Sequence, residues 1–201
     1  DRGAVGRRVH RDGLGGGDTQ LYRNQAITVT AEATYTASVF AKADALNWIR
    51  LAALGYDGAN IAFSHFDLSN GVIGTTTNTD DQSIEDYGNG WYRCSITWTQ
   101  GVGDTSFTFR INIAEADQDV VVSRVPITDS SVFLWGAQVE AGAIATSYIP
   151  TTTASVTRAK DDITLGSASS LIGQTEGTLY VEVDWRLTTG TTQQLLNASD
   201  G

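Results

Sequence analysis

The sequence predicts an all-β protein, an antiparallel β-sandwich of the jelly-roll type, on three observations. Apolar and polar residues alternate in short runs, as expected of half-buried strands. These runs are separated by turn signals such as Asn70-Gly71 and Gly88-Asn89-Gly90. Hydrophobic residues make up 41% of the 201 residues and charged residues only 18%, which is enough to fill a core. With no convincing amphipathic helix, the expected architecture is a sandwich.

The alternation assigns the strands in chain order. Residues 1–20 are a glycine-rich lead-in, flexible or truncated, and 77–86 are a polar connection. Residues 42–54 are the only stretch with helix-favouring composition, but their alternation fits a strand equally well, and we predict a strand. In the closing strand, Phe133, Trp135, Ala137 and Val139 are expected on one face and Leu134, Gly136, Gln138 and Glu140 on the other. The predicted strands are 21–30, 34–42, 47–54, 60–67, 71–76, 91–99, 106–115, 131–140 and a possible short one at 120–125.

The alternation restarts after Arg158, with runs at 177–185 and from 193. The sequence therefore predicts one complete domain over 21–160, then a linker and the start of a second sandwich over 161–201. Two strands are too few to be stable alone. The chain contains no Met, so we expect it to be part of a longer product.

Charge and cysteine content exclude several classes of function. The formal net charge is −10, from 23 acidic and 13 basic residues, and a nonspecific nucleic-acid binder needs a basic stripe. We therefore expect no nucleic-acid partner, and we expect the basic cluster within 2–11 to be solvated or partner-facing. Cys94 is the only cysteine and lies on an apolar register, which predicts a buried, inert thiol. No apolar run is long enough for membrane insertion.

No motif indicates catalysis. His10 and His65 are the only histidines, and neither a nucleophile elbow nor a zinc or P-loop signature occurs. Paired carboxylates such as Asp80-Asp81 are typical of solvated loops. The sequence therefore does not predict an enzyme, although regions beyond this chain could carry a depolymerase.

Residues opposite the core side of three strands form a candidate glycan-binding surface. Arginines and aromatic rings at these positions would suit a groove, because aromatic rings stack on the apolar face of a pyranose and arginine binds hydroxyls or carboxylates. The alternative is an ordinary solvated face, with the arginines paired to Glu32, Asp67 or Asp117. The candidate residues are Trp48, Arg50, Trp91, Arg93, Thr108, Arg110 and Asn112.

Three segments carry a resemblance to a known family: TVTAEATYTASVFAKA at 28–43, YGNGWYRCSITW at 87–98 and LWGAQVEAGAIATSYIPT at 134–151. They resemble carbohydrate-binding-module-like jelly-roll domains of bacteriophage tail and head fibre or spike proteins. The resemblance spans about two thirds of the chain, and these are scaffold motifs that fix no ligand. Residues 176–201, which include EGTLYVEVDW, resemble the opening of a concanavalin-like or laminin-G-like lectin domain.

The resemblance implies a non-catalytic component of the virion surface. Such a component attaches to host-surface polysaccharide or mounts a receptor-binding domain, and it contacts other virion proteins as a homo-oligomer, by analogy a trimer. The alternatives are a carbohydrate-binding module of a secreted polysaccharide-degrading enzyme and a purely structural capsid or tail decoration. The resemblance also suggests a structural calcium, with oxygen ligands from Asp117 and Asp119 or from Asp161 and Asp162; the alternative is that these acids belong to plain loops and that no cofactor is bound.

Overall fold

A computed structural model describes residues 7–10, 21–119, 130–151 and 154–157, with only the backbone described at 7–10 and 21. The chain divides into two compact units, Asp1–Pro150 and Thr151–Gly201. All the described strands belong to the first unit. The predicted strand at 120–125 and the predicted lectin-like segment at 161–201 lie outside the described residues.

The predicted antiparallel β-sandwich is confirmed. Sheet 1 has the order β1-β10-β3-β8-β7 and sheet 2 the order β2-β9-β4-β5-β6. The segment 42–54 contributes strands, and no helix occurs among the described residues. The strands are β1 (Arg7–His10), β2 (Leu21–Thr28), β3 (Thr34–Ala43), β4 (Trp48–Leu54), β5 (Ile61–Asp67), β6 (Val72–Thr77), β7 (Asp81–Asp86), β8 (Trp91–Thr99), β9 (Ser106–Ala114) and β10 (Ser131–Ala141).

Two strands lie where the sequence predicts none. Strand β7 falls in the predicted polar connection, and β1 in the predicted lead-in. Both lie at the edges of sheet 1, where they complete the ladders of β8 and β10. An edge strand needs only one partner and tolerates polar side chains. For this reason β7, with the sequence DQSIED, lacks the apolar alternation by which the others are recognised.

Aromatic and aliphatic side chains from the inner faces of both sheets fill the core. Trp98 of sheet 1 is fully buried, and its ring centroid lies 4.8 Å from that of Phe107 in sheet 2. Burying a large apolar side chain contributes about 1.5–3 kcal/mol, so such contacts hold the two sheets together. Cys94 is also fully buried, as predicted, and burial raises the pKa of its thiol. Because side chains alternate along a strand, the residues between the core positions form the two outer faces.

A β-bulge in β10 makes the predicted facing of this strand wrong. Trp135 lies opposite Phe40 and Gln138 opposite Ser38, so two residues of β10 face one residue of β3. Gly136 accommodates the bulge at a φ of 61°. The extra residue inverts the alternation, so that Trp135 and Gln138 share the outer face of sheet 1. The inward positions are Val132, Leu134 and Val139.

Candidate functional site

The outer face of sheet 2 brings together five side chains that we call the arginine face. Tyr22 lies opposite Asn112, which lies opposite Arg50, so one row crosses β2, β9 and β4. In the next row, Arg110 and Phe63 flank Ala52 from either side. The small, fully buried Ala52 leaves the longer side chains free to lean diagonally across the sheet. The arginine face consists of Tyr22, Arg50, Phe63, Arg110 and Asn112.

Each arginine of this face stacks on an aromatic ring. The guanidinium carbon of Arg50 lies 4.1 Å from the ring centroid of Phe63, and that of Arg110 lies 4.4 Å from the centroid of Tyr22. Burial, and secondly the positive charge of Arg110, lower the pKa of Arg50 below its ordinary value. Within the described part of the chain, neither guanidinium forms an ion pair with a carboxylate. The face therefore concentrates two positive charges without a described counter-charge.

Several buried polar atoms of the arginine face have no hydrogen-bond partner. They are the Nε atoms of Arg50 and Arg110 and both side-chain polar atoms of Asn112. Asn112 is 0% exposed, and an unsatisfied buried polar group costs about 1–3 kcal/mol. Native proteins contain few such groups, and each calls for an explanation. Four of the seven such atoms among the described residues belong to the arginine face.

The carboxylate of Asp67 orders the turn after β5. Its Oδ1 accepts hydrogen bonds from the backbone N and hydroxyl of Ser69, at 2.9 and 2.6 Å, and from Asn47. Its Oδ2 accepts one from Asn70 at 2.7 Å. Burial alone raises the pKa of Asp67, but the donors of Ser69 and Asn70 outweigh it and hold the pKa below its ordinary value. Pairing of an arginine with Asp67, part of the solvated-face alternative, is therefore not observed.

Asp117 likewise serves the fold. Its carboxylate accepts hydrogen bonds from the backbone N and hydroxyl of Thr75, at 2.8 and 2.9 Å, and from the backbone N of Gln118. Burial raises its pKa, but these donors and the nearby His65 bring the net shift below the ordinary value. Both oxygens of Asp117 thus accept hydrogen bonds from donors of the fold.

Nothing in the described residues groups three or more His, Cys, Asp or Glu side chains around a common metal position. Asp119 lies near Asp117, and its backbone carbonyl lies 3.1 Å from Nε2 of the buried His65. Asp161 and Asp162 lie outside the described residues. Calcium binding by any of these four acids stays a prediction.

Trp48 and Thr108, both predicted from sequence, also lie on the outer side of sheet 2. A Cβ at Gly74 would come within 2.7 Å of Cζ3 of Trp48, so the indole packs closely on β6. Five of the seven predicted glycan residues therefore share one surface. The prediction that Trp91 and Arg93 join them is wrong. Strand β8 pairs with β3 and β7 in sheet 1, which places these two side chains on the opposite outer face.

The outer face of sheet 1 is covered by residues 142–150, which we call the strap. The hydroxyl of Thr36 donates to the carbonyl of Gly142 at 2.8 Å. The guanidinium of Arg93 donates to the hydroxyl of Ser38 at 3.1 Å and to the carbonyl of Thr146. Arg93 is only 7% exposed as a result. Its contacts are those of a structural anchor rather than of a glycan-binding groove.

Polar residues of β10 hold the strap at two further points. The carboxylate of Glu140 accepts hydrogen bonds from the backbone N and hydroxyl of Thr146, at 2.9 and 2.6 Å. The amide oxygen of Gln138 accepts one from the backbone N of Ile149 at 2.8 Å. The ring of Tyr148 lies 4.8 Å from that of Trp135, which adds an aromatic contact. The end of the first unit is therefore fixed along its own sheet.

A scan against models of protein families finds no match to this chain, and a search of curated proteins finds no significant relative. Among the described residues, no helix is long and apolar enough to cross a membrane. The fold and the arginine face are therefore the basis for the function proposed below.

Sequence reasoning did not identify Tyr22 or Phe63 as members of the site. Phe63 lies on a strand whose alternation was recognised, but its stacking with Arg50 depends on which strands are neighbours. The only available signal was an aromatic residue on the polar register of each strand. Neither the partner strands nor the lean of the arginines follows from that pattern.

Proposed function

We propose that this chain is a non-catalytic component of a bacteriophage fibre or spike, and that it attaches the virion surface to host-surface glycans through the arginine face. The observation that carries the proposal is the pair of arginines stacked on aromatic rings without a described carboxylate partner. The resemblance of the strand segments to phage fibre domains supplies the biological setting. The confirmed sandwich is the scaffold that this setting requires.

The chemistry of the arginine face suits a sugar. Tyr22 is 42% exposed and offers an apolar ring to the C–H face of a pyranose. The guanidiniums and the neighbouring hydroxyl of Thr108 provide hydrogen bonds to sugar hydroxyls. Nucleic acid is a weaker candidate, because the net charge of −10 repels a phosphate backbone at long range.

Binding is favoured over catalysis by what the polar groups of sheet 2 do. Both ring nitrogens of His65 lie near backbone carbonyls, those of Thr75 at 3.3 Å and Asp119 at 3.1 Å. The carboxylate of Asp67 accepts a hydrogen bond from Ser69 in the turn after β5, and that of Asp117 accepts one from Thr75 in β6. These groups are committed to the fold rather than aimed at a shared reactive centre.

A second candidate role is the mounting of a receptor-binding domain on the particle. The strap favours this role, because Arg93 and Glu140 fix it along sheet 1 just before the boundary of the first unit. A purely structural decoration and a module of a secreted polysaccharide-degrading enzyme are the remaining alternatives.

The test is binding of the full chain to an array of bacterial surface polysaccharides, with Arg110→Gln as the site variant. Arg23→Gln is the matched control, because Arg23 is exposed on β2 and its loss changes the charge equally. We expect the wild-type chain and R23Q to bind the same glycans and R110Q to lose them. If no glycan is bound, or if both variants lose binding equally, the proposed function is wrong.

A further inference from the structure

We propose that the arginine face is a carboxylate site, selective for glycans that carry uronic or other carboxylated sugars over their neutral counterparts. This inference rests on the proposed function and narrows it to one class of ligand. It starts from the same two stacked guanidiniums, Arg50 and Arg110. It depends on the carboxylate and hydrogen-bond partners that these two side chains lack among the described residues.

The first requirement of an anion site is positive charge that the protein itself does not neutralise. The carboxylate of Asp67 accepts hydrogen bonds from Ser69 and Asn70 in the turn after β5, and that of Asp117 accepts two from Thr75 in β6. Neither is paired with Arg50 or Arg110, and those two arginines have no other ion pair with a described residue. Arg50 and Arg110 thus bring two positive charges to sheet 2 that make no direct contact with a described carboxylate.

The second requirement is that an anion interact more favourably with the arginine face than with water. Burial, followed by the charge of Arg110, lowers the pKa of Arg50, so the charged form of this guanidinium is disfavoured in the free protein. An anion beside the two guanidiniums would compensate for the desolvation of Arg50 and offset the repulsion from Arg110. Stacking on Phe63 and Tyr22 keeps the planar guanidiniums oriented, so less side-chain freedom is lost on binding.

The third requirement is hydrogen-bond capacity. The Nε atoms of Arg50 and Arg110 and the side chain of Asn112 have no hydrogen-bond partner, but they are buried, so a ligand would contact the guanidiniums through their terminal NH2 groups. A carboxylate accepts through two oxygens and matches the fork of a guanidinium. A neutral sugar offers hydroxyls but no charge, and it would leave the repulsion between the arginines in place. The geometry therefore favours a carboxylated residue at this position of the glycan.

Carboxyl reduction of the polysaccharide is the experiment that isolates the carboxylate. The full chain is titrated with polygalacturonate, with its carboxyl-reduced product and with each acidic polysaccharide bound on the array, together with the reduced form of each. We expect the acidic forms to bind and reduction to weaken binding at least tenfold. We expect Arg50→Gln and Arg110→Gln each to weaken it about ten- to hundredfold, the range for loss of one charge-assisted hydrogen bond. Arg23→Gln, the matched control, stays within about twofold because its side chain is an exposed one outside the site.

Two further reagents separate charge from recognition. Arg50→Lys keeps the charge without the planar fork, and we expect it to bind more weakly than wild type and more strongly than R50Q. Dextran sulfate tests for attraction to any polyanion. Circular dichroism and the melting temperature of each variant show whether it is folded, and R110Q repeats the test if R50Q is not.

The outcomes distinguish this inference from the proposed function. Binding that survives carboxyl reduction, or equal binding of dextran sulfate, overturns the carboxylate site and leaves glycan attachment intact. Absence of binding to every polysaccharide overturns both. Binding of acidic glycans that is unaffected by R50Q and R110Q places the carboxylate site elsewhere and also overturns the inference.

Discussion

Replacement of Arg93 by Met tests whether the strap is held by a buried guanidinium. Met keeps an unbranched stem but removes the hydrogen bonds to Ser38 and Thr146 and the contact with Phe40, whose ring centroid lies 5.3 Å away. Two charge-assisted hydrogen bonds contribute about 1.5 kcal/mol each at the low end of their range. The ring contact adds about 0.5–1 kcal/mol. Met also removes the buried Nε of Arg93, which has no hydrogen-bond partner, and this raises the unfolding free energy by about 1 kcal/mol.

The expected loss of unfolding free energy for Arg93→Met is therefore about 3 kcal/mol, a large part of the usual 5–15 kcal/mol of a domain. Urea denaturation of the full chain, followed by tryptophan fluorescence, measures it. Arg23→Met is the control, because Arg23 is exposed, and it should stay within about 0.5 kcal/mol of wild type. Hydrogen exchange in the peptide covering 142–150 should accelerate in R93M alone. A loss of stability no larger than that of R23M, with unchanged exchange, would refute the anchoring role of Arg93.

Three further predictions concern the fold. Asp67→Asn should lower the unfolding free energy at pH 7 by about 1–3 kcal/mol. The pKa of Asp67 is lower in the folded chain than in the unfolded chain, so its carboxylate stabilises the fold above the unfolded pKa of about 3.9. The difference in unfolding free energy between D67N and wild type should therefore shrink as the pH falls below that value. A constant difference in urea titrations from pH 7 to 3 would contradict this expectation. Gly136→Ala should cost more than Gly103→Ala, because both glycines have positive φ but only at Gly136 would a Cβ meet Phe40, at 3.1 Å; equal losses in thermal melts would show that the contact is unimportant. Cys94 should resist alkylation by iodoacetamide in the native chain and react once urea unfolds it, since burial both hides the thiol and raises its pKa; rapid labelling of the folded chain by mass spectrometry would show an accessible site.

Most of the fold could be predicted from alternation because half-buried strands express it directly. Strand β8 runs over Trp91–Thr99, the predicted range, with Cys94 and Trp98 on the inner face as expected. The failures have local causes. The edge strand β7 buries too little to alternate, and a single extra residue at the bulge of Gly136 inverts the facing of the residues after it.

The candidate site could be predicted only in part, because alternation assigns a side to each residue without assigning strands to sheets. Arg50, Arg93 and Arg110 all lie on outward registers, yet Arg93 belongs to the other sheet and is covered by the strap. The hydrogen bonds of Asp67 to the turn after β5 likewise depend on the folded structure and do not follow from alternation. Once β4 and β9 are known to be neighbours, the pairing of Arg50 and Arg110 on one face follows from register alone.

The central claim is that glycan attachment takes place on the outer face of sheet 2. Amide chemical-shift mapping of the isotope-labelled chain, with an oligosaccharide cut from the tightest-binding polysaccharide of the array, tests it most directly. The account predicts that the largest shifts cluster at Tyr22, Arg50, Phe63 and Arg110 and that R110Q abolishes them. Shifts concentrated instead around Phe40 and Trp135 on sheet 1, and unaffected by R110Q, would contradict it.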